Sequence, residues 1–107
     1  MNAGNDGAGA SLVRGAAAGH YAVRGALTLT TVTALRAQGR AAFGEGSGAI
    51  LVDLRQVERA DSGGLALLVD WLAWAQAARR ELRFTALPAA LLALARVSDV
   101  ENLLAGS

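Results

Sequence analysis

Six residues near the middle of the chain, AILVDL at 49–54, set the tightest limit on its fold. The run is almost continuously apolar and has β-branched members, the pattern of a strand buried on both faces. Such a strand takes parallel neighbours, and parallel neighbours need crossover helices. The flanks supply them. LTTVTALRAQGRAAF (29–43) carries Val32, Leu35, Gly39 and Phe43 at helical spacing, behind threonines that can cap. Downstream, the turn RQVERAD leads into a long helix from about Ser62 to Arg80.

The remaining segments complete an alternating pattern. SLVRG (11–15) and HYAVRGALT (20–28) read as two strands joined by the hairpin-length loop GAAAG. In ELRFTAL (81–87), Leu82, Phe84 and Ala86 alternate with Arg83 and Thr85, as in a strand with one buried face. Pro88 suits the first turn of a last helix, PAALLALARV, and SDVENLL adds a turn or a second helical segment. The order β-β-α-β-α-β-α predicts an α/β fold on a mixed four-stranded sheet. Residues 1–10, rich in Gly, Asn and Ala, are expected to be disordered, with one domain over 11–107.

Composition narrows the function. Apolar residues make up 53% of the 107, but alanine supplies many of them, so Leu, Val, Ile and Trp must carry the core. A net charge of +1 gives no electrostatic grip on nucleic acid or anionic lipid. All ten basic residues are arginines, which leaves out Schiff-base chemistry and a P-loop lysine. With no cysteine there are no disulfides, thiol nucleophiles or cysteine metal sites. The first ten residues lack a secretory pattern and no apolar run is long enough to span a bilayer, so a cytoplasmic location is expected.

The familiar catalytic patterns are missing. GEGSG (44–48) follows a helix and precedes a strand, the reverse of a phosphate-binding loop. A single histidine, His20, cannot build a typical zinc site without cysteines. Ser62, Asp61 and His20 suggest a triad, yet Ser62 sits between Ala60 and Gly64 and lacks the G-x-S-x-G elbow. Asp53 and Asp61 bracket a turn, where carboxylates usually cap turns and helix ends. No metal, cofactor or catalytic residue is expected.

Attention therefore falls on the start of the long helix. The Ser62 hydroxyl can accept a first-turn N–H, and Asp61 can do likewise. Gly63 and Gly64 are poor helix formers that leave the backbone open to close approach by a partner or a phosphate. Leu65, Leu68, Val69 and Leu72 form one apolar stripe for the sheet. Leu67, Trp71 and Trp74 form a second, which is either a wider core face or an exposed patch for another protein.

VERADSGGLALLVDWL (57–72) resembles the signature of STAS (SpoIIAA-like) domains, and VDL before it and LLALARV after it also fit. The stand-alone length, the DSGGLALL form and VRGALTLTTVTAL are most similar to MlaB-type members. The resemblance implies a non-enzymatic cytoplasmic subunit, peripheral to the inner membrane through its complex. It would bind and support an MlaF-like ATPase of an Mla-type phospholipid ABC transporter that maintains outer-membrane lipid asymmetry. It places Ser62 at the partner contact, with Asp61, Gly63, Gly64 and Leu65 matching the surrounding motif. Around them, Leu67, Trp71 and Trp74 are the candidate anchors. The alternative it implies is an anti-sigma factor antagonist, whose partner is an anti-sigma factor kinase that phosphorylates Ser62.

Overall fold

A computed structural model describes residues 9–98 and Leu104. Its elements run β1 (Ala10–Arg14), β2 (His20–Leu27), α1 (Val32–Gly44), β3 (Ile50–Asp53), β4 (Val57–Ala60), α2 (Ser62–Ala77), β5 (Leu82–Thr85) and α3 (Ala89–Val97). The segment expected to be disordered falls mostly on residues 1–8, outside the described residues, while Ala10 already pairs with Gly25. Of SDVENLL, only Ser98, the C-cap of α3, and Leu104, helical and buried, are described.

The sheet is mixed, in the order β1-β2-β3-β5. β1 is antiparallel to β2, while β3 is parallel to both β2 and β5. The expected turn RQVERAD contains a fifth strand. β3 pairs with His20–Ala22 and β4 with Gly25–Leu27, so the two lie end to end along one edge of β2. A bulge at Gly25/Ala26 absorbs the join, with Gly25 at φ +96°. In β4, Glu58 and Arg59 are exposed and only Val57 and Ala60 pack on the core, so the strand left little apolar signal.

The helices cover one face of this sheet. Tyr21, Val23, Ile50, Val52, Leu82 and Phe84 are buried against them. The alternate residues His20, Arg24, Arg83 and Thr85 are exposed, with Leu51 and Asp53 partly so. The expectation that AILVDL is buried on both faces is thus corrected: Ile50, Val52 and Leu54 face the core, and Leu51 looks out from an open sheet face. Pro88 is likewise the extended residue before α3, with φ −60° and ψ 146°, and not part of its first turn.

α2 is the central helix, packed against both α1 and α3. That position explains its two stripes. Leu65, Leu67, Leu68, Trp71 and Ala75 are all buried, so the second stripe serves as core. Trp71 is fully buried against α1, where a Cβ on Gly39 would lie 2.5 Å from the indole. Phe43 meets Trp71 edge-on at 5.3 Å and Tyr21 edge-on at 5.2 Å, a chain of aromatic contacts that joins α1, α2 and β2. Trp74 is half-buried against Phe43, with the Arg80 guanidinium 5.8 Å from its ring centre.

Candidate functional site

The parallel strands β2, β3, β4 and β5 all point their C-terminal ends toward the same pole, where α1, α2 and α3 begin. Asp61 organises it. Its backbone is extended, with φ −137° and ψ −169°, and its carboxylate accepts the Gly63 N–H at 2.8 Å and the Gly64 N–H at 3.3 Å. The same carboxylate accepts the Leu29 N–H at 3.1 Å from the β2–α1 loop. The Asp61 N–H in turn donates to the Leu27 carbonyl at 3.2 Å. One side chain thereby caps α2 and fastens it to the end of β2.

Asp61, and not Ser62, is the N-cap. Ser62 is the first residue of α2, exposed, and its hydroxyl makes no hydrogen bond among the described residues. The glycines also have a different role from the one expected. Both are buried. A Cβ on Gly63 would lie 2.8 Å from the Leu29 nitrogen, and one on Gly64 would overlap the Leu27 carbonyl. They let α2 press against its own chain, so the space they leave is already filled and is not kept for a partner.

The same pressure sets Leu29 in place. It is 70% exposed, and with Val97 it is one of two large apolar side chains that are mostly exposed among the described residues. The loop carrying it is held by Thr31, the one buried polar residue among the described residues, whose hydroxyl donates to the Ala26 carbonyl at 2.7 Å and accepts the Thr28 N–H at 3.1 Å. Beside Leu29 an open groove of about 300 Å³ runs between α1 and α2. Val32 and Arg36 line one side, and Ala66, Leu67 and Asp70 the other. Arg36 and Arg40 both reach Asp70, at 3.3 and 3.2 Å.

The expected anchors on α2 require correction. Leu67 is 3% exposed and Trp71 fully buried, so neither presents a surface; Leu67 forms the groove floor. Trp74 is largely covered by Phe43 and Arg80. Sequence reasoning missed Leu29, although a leucine between threonines at the end of a strand was its available signal. It also missed Arg36 and Asp70, which read as ordinary solvated helix charges.

The geometry speaks against a catalytic triad. His20 opens β2 at the opposite end from Leu27, which pairs with Ala60 just before Asp61-Ser62, a separation of about 20 Å at strand rise. A wider depression of about 640 Å³ lies at that far pole, between His20, the loop 46–49 and Arg83. Arg83 there is already paired with Glu81 at 2.8 Å. Among the described residues, no group of three His, Asp or Glu side chains is placed to hold a metal ion. No helix among them is long and apolar enough to cross a membrane.

A mixed sheet with helices on one face fits a STAS domain, a protein-interaction module. The chain belongs to the STAS family described as "Mlab, STAS domain", whose model matches residues 11–105. The fold is similar to a Thermotoga maritima structure described as that of an anti-sigma factor antagonist, with a TM-score of 0.72 at 11% identity over 89% of this chain and 82% of that one. It is also similar to part of murine solute carrier 26 family member A9, an anion transporter in its inward-facing state. There the TM-score is 0.57 at 15% identity, over 80% of this chain and 14% of that one. At these identities the two structures speak for the fold alone. A search of curated proteins returned no significant match.

Proposed function

We propose that this chain is the non-catalytic STAS subunit of an Mla-type phospholipid ABC transporter, and that it binds and supports the ATPase subunit through the pole around Ser62. The observation that carries the reading is the pairing of an MlaB-type family match with an exposed Ser62 and Leu29, held rigidly above an open groove. A rigid apolar projection beside a shallow groove suits a lasting protein contact, because little side-chain or loop order is left to be lost on binding. Its place at the inner membrane follows from the complex, and the chain itself needs no membrane-spanning segment.

The test is co-expression of the tagged chain with the ATPase and permease of such a transporter. Stoichiometric co-purification, and ATPase activity that falls when the chain is left out, support the reading. A chain that purifies alone, beside a transporter that assembles and hydrolyses ATP without it, refutes it.

One observation favours a second reading. The Ser62 hydroxyl is exposed, has no hydrogen-bond partner among the described residues, and opens a helix whose positive end suits a phosphate, while the neighbouring Asp61 carboxylate adds a like-charge cost. An anti-sigma factor antagonist controlled by a serine kinase would need such a residue. Mass spectrometry of the protein from stressed and growing cells separates the two: stoichiometric phospho-Ser62 favours the switch, and an unmodified Ser62 in all conditions favours the transporter subunit.

A further inference from the structure

β1 is an outer strand of the sheet, paired with β2 on one side. The Gly15 N–H donates to the His20 carbonyl at 2.7 Å, and the antiparallel register alternates from there. Ser11 and Val13 therefore turn their backbone groups toward β2, while Ala10, Leu12 and Arg14 turn theirs outward. An edge of this kind is a template for a further strand. At its centre the outward Leu12 N–H is already taken: it donates to the Gln38 Oε1 on α1 at 2.9 Å. Farther along the edge, the Arg14 guanidinium pairs with Glu45, the C-cap of α1. Side chains of the α1 segment thus reach β1 at two points.

We infer that Gln38 is an edge cap, and that it keeps β1 from pairing with β1 of a second copy of this chain. The inference does not rest on the transporter-subunit reading. Without the cap the edge is self-complementary. An antiparallel pair centred on Leu12 sets it against the second copy's Leu12 with two hydrogen bonds, Ser11 against the second copy's Val13, and Ala10 against its Arg14. No like charges stand opposite one another. Val13 is 36% exposed and Leu12 half-buried, so both gain cover in such a pair. The hydrogen bond to Gln38 is itself exposed, so losing it lets water reach the Leu12 N–H and costs the fold little. Its effect falls on association: an arriving strand must displace the amide first, and both copies carry the same cap.

The test is sedimentation equilibrium of the full chain over a series of concentrations. Gln38→Ala should lower the dimer dissociation constant by roughly tenfold or more, because two caps are lost per dimer. Gln38→Met, which keeps the length without the oxygen, should do the same. Gln38→Glu retains an acceptor for the Leu12 N–H and should behave as the wild type. All three should melt like the wild type. The chain has no cysteine, so the register can be trapped. Ser11→Cys and Val13→Cys copies, each also carrying Gln38→Ala, should form a disulfide-linked dimer when mixed and oxidised, and neither should do so alone, because the two positions face each other in the expected pair. Gln38→Ala and Gln38→Met chains that associate no more than the wild type overturn the cap. Equal dimerisation by Gln38→Glu and Gln38→Ala overturns it too, since the acceptor would then not matter. A Gln38→Ala dimer that fails to cross-link in the mixture overturns the pairing through β1.

Discussion

At the scale of single residues, the pole is built by Asp61. Its carboxylate satisfies two first-turn N–H groups of α2 and one from the β2–α1 loop, so its loss exposes three donors at once. Asp61→Ala is expected to cost about 1–3 kcal/mol in urea unfolding, more than an ordinary N-cap because the cross-link to Leu29 goes with it. Ser62→Ala, by contrast, should lie within about 0.5 kcal/mol of the wild type, because the exposed hydroxyl has no hydrogen-bond partner among the described residues. Ser62→Asp should keep the fold and weaken partner binding, read by a melting curve and a pull-down on the same sample. The motif Asp-Ser was legible in the sequence, but which residue caps was not: both types cap helices, and only the extended backbone of Asp61 decides between them.

At the scale of elements, the tightest fit is α1 on α2. Gly39 has no room for a methyl group against the Trp71 indole, which is itself fixed edge-on by Phe43. Gly39→Ala would gain about 1 kcal/mol of helix propensity. The clash is with a rigid ring, so the net effect should still be a loss of about 1–3 kcal/mol, measured by thermal or chemical unfolding. Trp71→Phe is instructive in the other direction. The buried indole N–H has no hydrogen-bond partner among the described residues, so the substitution removes an unsatisfied donor while leaving a gap, and it should cost less than the several kcal/mol usual for truncating a buried tryptophan. After β5, Ala86 sits at φ +57°, a conformation that costs an alanine more than a glycine. Ala86→Gly should therefore be neutral or stabilising by ~0.5–1 kcal/mol, in contrast to most glycine substitutions.

Element periodicity explains what could be read beforehand. α1, α3, β2, β3 and β5 carry regular apolar spacing and were visible. β4 was not, because only two of its four residues pack on the core and they are divided by Glu58 and Arg59. The second stripe on α2 was visible as a stripe but ambiguous in purpose. A helix flanked by helices on both sides shows the same pattern as one with a free patch, and the glycine at position 39 that receives Trp71 looks unremarkable from sequence alone.

At the scale of the molecule, the helices share one sheet face and the strand ends share one pole. Among the surfaces it leaves are the open sheet face, carrying Arg24, Arg83, His20 and Asp53, and the pole carrying Leu29 and Ser62. The STAS character was legible from one motif and the element order. The exposure of Leu29 was not, because it depends on how α2 presses on the β2–α1 loop. The central claim is that the pole, and not the open sheet face, meets the ATPase subunit. Hydrogen–deuterium exchange of the chain alone and bound to that subunit tests it most directly. The expected result is new protection in peptides covering 28–36 and 62–70, with 11–24 and 82–86 unchanged. Protection confined to the strands of the open face, or none anywhere on binding, would contradict it.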